Sequence, residues 1–162
     1  LAGRGEVGRR LLLYAGGLDT SVMLKWIADE YEADVVTLTV NLGQPGEDYE
    51  AVENKARQIG AVECHTVDAR EEFAREFVLP AIKANALYGG GYPHFTALGR
   101  PHIAELAVDH ARQTGSGTIA VLYIGQGPDQ LRINATVAML TPHPHVFPPV
   151  RVSAQARRGA QE

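Results

Sequence analysis

Residues 10–27 read Arg10-Leu-Leu-Leu-Tyr-Ala-Gly-Gly-Leu-Asp-Thr-Ser-Val-Met-Leu-Lys-Trp-Ile27, and the rest of the chain is organised around them. The apolar run from Leu11 to Tyr14 has the character of a short buried strand and stops at Ala15-Gly16-Gly17. Polar Asp19, Thr20 and Ser21 follow, and Val22, Met23, Trp26 and Ile27 then recur at helical spacing. A strand, a glycine turn and a helix start together make an anion site. Gly16 and Gly17 let the backbone approach a ligand closely, and the first N–H groups of a helix lack intrahelical acceptors. With the positive end of the helix dipole behind them, such donors suit a pyrophosphate. Gly-Gly alone is equally compatible with an ordinary strand-to-helix turn. The loop is not a Walker A loop, since no Gly-Lys-Ser/Thr follows, and it lacks the Gly-x-Gly-x-x-Gly of dinucleotide folds.

Outward from this loop, strands and helices alternate. Asp34 to Val40 is a β-branched run expected as a second strand, broken by the loop Asn41-Leu-Gly-Gln-Pro-Gly46. Glu47 and Asp48 suit a helix start, with Tyr49, Val52, Ala56 and Ile59 as its apolar stripe and Gly60 as its cap. A third strand is expected at 61–67. A helix follows from Asp68, carrying Phe73, Phe77 and Ile82, which Pro80 should end or kink near Leu79. Residues 88–95 read as a loop around Gly89-Gly90-Gly91, with a helix from about Pro101 that turns Ile103, Leu106 and Ala107 inward. A fourth strand is expected at 118–124, a loop at 125–129, a helix at 131–140 and a short last strand at 145–148. The pattern predicts an α/β fold, a doubly wound, Rossmann-like parallel sheet of five strands with the first in the middle. Ligands then belong at the carboxyl ends of the strands.

At 162 residues and 45% hydrophobic content, the chain is large enough for one domain with its own core. A net charge of −4 argues against a general nucleic-acid or anionic-membrane surface. The single cysteine, Cys64, excludes an internal disulfide framework and fits a reducing, cytoplasmic setting. It falls in the third strand, where a buried, inert thiol is the expectation. No apolar run approaches the roughly 20 residues that span a bilayer, and residues 1–9 lack a signal peptide's apolar centre. The six histidines show no metal-ligand spacing with cysteine or acids, so no protein-borne metal site is expected; His143 and His145 read as an exposed, proline-rich loop. The expected organisation is a 1–9 extension, a 10–152 nucleotide-binding domain and a disordered 153–162 tail.

The loop Ala15-Gly-Gly-Leu-Asp-Thr-Ser21 resembles the Ser-Gly-Gly-Leu-Asp-Thr-Ser pyrophosphate loop of the argininosuccinate synthase family, in the ATP-pyrophosphatase (adenine nucleotide alpha-hydrolase-like) superfamily. Thr20 favours this branch over relatives that read Ser-Gly-Gly-x-Asp-Ser. Ala15 stands where the family has its first Ser, so one hydroxyl is absent. The resemblance covers about residues 10–151 in one register. Thr39-Val-Asn-Leu-Gly-Gln44 is similar to the family's adenosine-side Thr-Ala-Asp-Ile-Gly-Gln. Asn85 to Pro101 is similar to the segment that holds citrulline, with Gly89 for a Glu and His94-Phe95 for Leu-Gly. Ala120 to Ile133 is similar to the loop that binds aspartate, with Leu122, Ile124, Gln126 and Pro128 where the family has Gly, Thr, Lys and Asn.

What the resemblance implies is a site of three parts. Tyr14, Ala15, Gly16, Gly17, Leu18, Asp19, Thr20, Ser21 and Val40 would meet ATP, with Asp19 orienting ligand or metal and as the one candidate catalytic side chain. Tyr88, Thr96, Arg100 and Arg132 would meet citrulline, and Ile124, Gly125 and Asp129 aspartate. The implied reaction is an ATP-dependent ligation through a citrullyl-AMP, with Mg²⁺ on the phosphates, as in arginine biosynthesis and the urea cycle. Citrulline and aspartate are the expected partners, with no nucleic acid and no membrane. The family's chain is more than twice as long and suggests a homo-oligomer, with an oligomerising tail absent from these residues. Two other readings stay open. One is a truncated, non-catalytic nucleotide- or amino-acid-binding remnant of that family, and the other is a different superfamily enzyme that adenylates a carbonyl.

Overall fold

The computed structural model describes residues 8–89, 91–122, 127–141 and 146–147. In chain order it contains β1 (Arg10–Leu13), α1 (Leu18–Tyr31), β2 (Val35–Asn41), α2 (Tyr49–Ile59), β3 (Glu63–Asp68) and α3 (Arg70–Phe73). A π-turn (Ala74–Val78) leads to α4 (Leu79–Lys83), the pair β4 (Leu87–Tyr88) and β5 (Tyr92–Pro93), and α5 (Phe95–Gln113). Then come β6 (Thr118–Ala120), α6 (Pro128–Leu140) and β7 (Val146–Phe147). Five strands form one sheet in the order β3-β2-β1-β6-β7, every pair parallel, with β1 in the middle as the strand pattern predicts.

The sheet is covered on both faces, because successive side chains of a strand point to opposite sides. Leu11, Val36, Leu38 and Val40 pack with Ala104, Ala107 and Val108 of α5 and with Ile133 and Val137 of α6. Leu12, Tyr14 and Val35 pack on the other face, with Leu24 and Ile27 of α1 and Ala56 of α2. Leu11 and Leu12 are both fully buried, one in each layer. Truncating either to Ala should cost about 2–5 kcal/mol. Asp48 caps α2 by accepting from the Ala51 N–H, and Gly60 closes it at φ 126, as the helix start and stop residues predict.

Several local expectations are corrected. On α1 the buried positions are Ser21, Leu24 and Ile27, while Val22 is exposed; the helix phase is set by the sheet beneath it. Pro80 does not end its helix, although the winding changes at Leu79, where the sequence places an end or kink. The preceding turn widens, so that the Leu79 N–H reaches Ala74 O, and the chain stays helical to Lys83 with Pro80 in the first turn of α4. Ile82 lies exposed. Residues 88–95 are not all loop, since β4 and β5 pair antiparallel there. The next helix starts at Phe95, with Pro101 inside it, and Ile103 and Leu106 are only partly buried. The strand expected at 118–124 ends at Ala120. Cys64 is only half-buried in β3 rather than buried, its thiol against the Glu53 carbonyl at 3.7 Å, because β3 is an edge strand of the sheet. The 1–7 part of the extension, the 153–162 tail, His143 and His145 lie outside the described residues. No helix among the described residues is long and apolar enough to cross a membrane.

Candidate functional site

The two glycines after β1 do different work. Gly16 has φ +72, and a Cβ there would lie 2.8 Å from Val52 Cγ2 of α2. Only glycine fits that seat without strain. Gly17 is the extended N-cap of α1 (φ −68, ψ 169), and a Cβ built on it meets open space. The first helical bond runs from the Ser21 N–H to Gly17 O at 3.1 Å, so the N–H groups just before it precede the ladder. Hydroxyls brace this turn from within. Ser21 donates to Gly17 O at 2.7 Å and lies 2.9 Å from the Tyr14 phenol, and Thr20 donates to Gly17 O at 3.2 Å. Thr39 of β2 donates to Tyr14 O at 2.9 Å. Asp19 is exposed in the first turn of α1.

The loop after β2 is held by its own side chains. Asn41 Oδ1 accepts from the Gly43 N–H and Gln44 Oε1 from the Leu42 N–H, both at 2.8 Å. Asn41 therefore makes an Asx-type turn, which an Asp in its place would also make. Val40 is nearly buried at the end of the strand.

Opposite lies a cluster made of side chains. Because α5 begins at Phe95, Thr96 and Arg100 stand four residues apart on one face of its first turns. α6 opens with Pro128, at a position that needs no N–H, and presents Asp129 and Arg132 three apart. Arg132 donates through Nη1 to Asp129 (2.8 Å) and Thr96 (3.3 Å), and through Nη2 to the Tyr88 hydroxyl (2.8 Å). Arg100 Nε donates to the other oxygen of Asp129 at 3.1 Å. The ring of Tyr88 lies against His94, with centroids 3.6 Å apart. For Asp129, burial opposes ionisation more than any other single effect. The hydrogen bonds and charges of Arg100 and Arg132 together outweigh it and hold the carboxyl below its ordinary range. The cluster is thus two guanidiniums sharing one carboxylate, suited to binding a zwitterion by its carboxylate and ammonium ends.

Between the two sides runs a cleft of about 650 Å³ at the carboxyl ends of the strands, a size typical of small-molecule sites. Tyr14, Ala15 and Val40 line it from the β1–β2 side, and the Gly16–Ser21 stretch adjoins it at Ala15 without lining it. Thr96, Arg100, Asp129 and Arg132 line the far side, and Tyr88 joins them through Arg132. Ile124 and Gly125 lie outside the described residues. Gln44, Glu47 and Tyr49 also line the cleft, and Lys55 donates to Gly16 O at 2.6 Å. None of these four was singled out from the sequence as a site residue. Gln44 stood at the end of a quoted stretch, but Lys55 carries no local signal, being 39 residues from its partner. No group of three or more metal-ligating side chains occurs among the described residues. Phe95 is largely exposed and lines a neighbouring apolar groove with Leu98 and Ile82, to which Thr96 and Arg100 also contribute.

Known proteins extend this picture. Residues 9–162 match the family model described as arginosuccinate synthase N-terminal HUP domain. Argininosuccinate synthase of Rubrobacter xylanophilus is 54% identical over 145 residues, 89% of this chain and 35% of that protein. Those of Pyrococcus furiosus and Dictyoglomus turgidum are 47% and 45% identical over 88% and 87% of this chain, and 34% and 35% of their own lengths. The chain therefore spans about a third of the length of the curated relatives it matches. Among solved structures, a 4-thiouridine synthetase–RNA complex with bound ATP superposes with a TM-score of 0.60 at 19% identity, over 88% of this chain and 36% of that one. A predicted subunit of tRNA methyltransferase from Methanocaldococcus jannaschii gives 0.52 at 15% identity, over 88% of this chain and 68% of that one. At those identities the likeness is one of fold. The family model and the relatives at 45–54% identity go further: this chain belongs to the argininosuccinate synthase family, matching its N-terminal HUP domain.

Proposed function

We propose that this chain forms the ATP- and amino-acid-binding part of a ligase that joins citrulline to aspartate. The observation that carries the reading is the convergence of Tyr88, Thr96, Arg100, Asp129 and Arg132 on one hydrogen-bonded cluster. It lies across a cleft from Tyr14 and Ala15, which lead into a glycine turn at a helix start. The ureido oxygen of citrulline attacks the α-phosphorus of ATP, and the bond to the β-phosphate oxygen breaks to release pyrophosphate. The amino group of aspartate then attacks the activated carbon, loses a proton, and displaces AMP to give argininosuccinate. Neither step calls for a side-chain nucleophile, so positioning and charge neutralisation carry the rate.

In this reading the backbone of Gly16, Gly17 and the start of α1 receives the pyrophosphate, with Tyr14, Ala15 and Val40 along the nucleotide. Arg100 and Arg132 pair with substrate carboxylate, Tyr88 and Thr96 orient the amino-acid backbone, and Asp129 receives an ammonium. Mg²⁺ held mainly by nucleotide phosphates needs only one or two protein carboxylates, and exposed Asp19 is the acid of this turn; the ion would neutralise phosphate charge. Ile124 and Pro128, which lack the hydroxyl and amide of the family's Thr and Asn, weaken the aspartate side. We expect the isolated chain to bind ATP weakly and to turn over slowly. The test is pyrophosphate release measured with and without each amino acid. Release that requires both citrulline and aspartate supports the reading. Release that needs neither, or absence of both ATP and citrulline binding, overturns it.

A further inference from the structure

The phosphate turn contains no cation of its own. Residues 15–21 are Ala-Gly-Gly-Leu-Asp-Thr-Ser, with one acid and no lysine or arginine. A polyanion bound there needs donors that are firmly aimed, and preferably a positive charge nearby. We infer that Lys55 is the positioning residue of this turn, holding the Gly16 carbonyl from the α2 side so that the Gly17 N–H is aimed at a bound pyrophosphate. The inference deepens the reading above and rests on its assignment of the pyrophosphate to this turn.

Three observations support it. Lys55 is exposed on α2, and its Nζ donates to Gly16 O at 2.6 Å. Val52, three residues earlier on α2, lies against Gly16, where a Cβ would sit 2.8 Å from Val52 Cγ2. One face of α2 therefore seats the turn by packing and by charge together. The described peptide bonds are all trans, and in a planar trans peptide the carbonyl of one residue and the N–H of the next point in opposite directions. Fixing the Gly16 carbonyl toward α2 thus fixes the Gly17 N–H toward the opposite side. Glycine pairs allow this peptide to flip at low cost, and the ammonium selects one of the two orientations. A cationic donor on the carbonyl also polarises the amide and strengthens its N–H as a donor. The ammonium meets a neutral carbonyl rather than a carboxylate, so its charge remains available to an anion behind the turn.

Calorimetry on the full 162-residue chain, with inorganic pyrophosphate and with adenosine as probes across a salt series, tests this. Lys55→Met is expected to weaken pyrophosphate about tenfold, the scale of one charge-assisted hydrogen bond, and to flatten its salt dependence. Adenosine affinity should stay within about twofold. Lys55→Arg should recover most of the loss. Lys25→Met, which removes the same charge from α1 where Lys25 pairs with Asp29, should behave as the unmodified chain. Pyrophosphate binding by Lys55→Met with unchanged affinity and salt slope overturns the inference and leaves the turn's assignment standing. Equal losses for pyrophosphate and adenosine, indicating collapse of the fold, also overturn it. Failure of the unmodified chain to bind pyrophosphate removes the assignment and the inference together.

Discussion

The two sides of the cleft are built on opposite plans. The side proposed for phosphate comes from one continuous stretch, residues 14–21, whose hydroxyls are turned inward to brace it and leave mainly backbone for a ligand. The side proposed for the amino acids comes from Tyr88 at the β4–β5 pair, Thr96 and Arg100 on α5, and Asp129 and Arg132 on α6. Its longest bond links residues 44 positions apart. A backbone site tolerates side-chain change: Ala15 in place of a serine leaves the turn intact. A side-chain site concentrates its dependence on a few groups, above all Arg132, which holds three partners at once.

The sharpest break in that comparison is Arg132→Met. Loss of its bonds to Asp129, Thr96 and Tyr88 should lower citrulline affinity by about a hundredfold, the equivalent of roughly 3 kcal/mol for charge-assisted bonds. Pyrophosphate affinity should be unchanged. Calorimetry with both ligands checks this, and parallel losses would mean that the two sides are not independent.

Next in size is the contrast within the turn. Gly16→Val forces a side chain into positive φ and into Val52, and should destabilise the fold by about 2 kcal/mol. Gly17→Val meets open space, and its stability should fall by no more than about 1 kcal/mol, the scale of an N-cap change. It should nevertheless lose pyrophosphate binding, because the added methyls occupy the anion's place. Urea melts and calorimetry on the pair separate the two roles. Full binding by Gly17→Val would move the anion elsewhere.

A smaller effect comes from Asp129. Its carboxyl is held below the ordinary range, so the unfolded chain takes up the proton first as pH falls. The stabilisation is therefore complete above the ordinary carboxylate range and is lost as pH drops through the lowered folded value. Its side chain is 31% exposed and those of Arg100 and Arg132 are 40% and 25%; with that solvent screening the contribution should be on the order of 1 kcal/mol. Thermal melts of the unmodified chain and Asp129→Asn should differ most above about pH 5 and converge in acid. A difference independent of pH would point to packing instead. Smallest of all is Asp68, whose hydrogen bonds from Arg70 pull its carboxyl to about 2. Both partners are solvent-exposed, so an NMR titration should find that low midpoint while Asp68→Asn leaves the melting temperature almost unmoved.

The sequence by itself determined the parallel α/β architecture, the central place of β1 and the glycine turn that follows it. Each rests on local signals: apolar strand runs, helical spacing, and glycines between Tyr14 and Leu18. Resemblance also supplied the far-side residues, but not how they meet. Tertiary structure alone decided that α5 begins at Phe95 instead of near Pro101, which sets Thr96 and Arg100 on one helical face. Only it showed that Pro80 widens a helix into a π-turn and leaves Ile82 exposed, and that Lys55 reaches the turn across 39 residues. The physical reason is range. Propensity and periodicity act over a few residues, whereas a proline tolerated inside a helix or a guanidinium shared among three partners depends on what another segment packs against it.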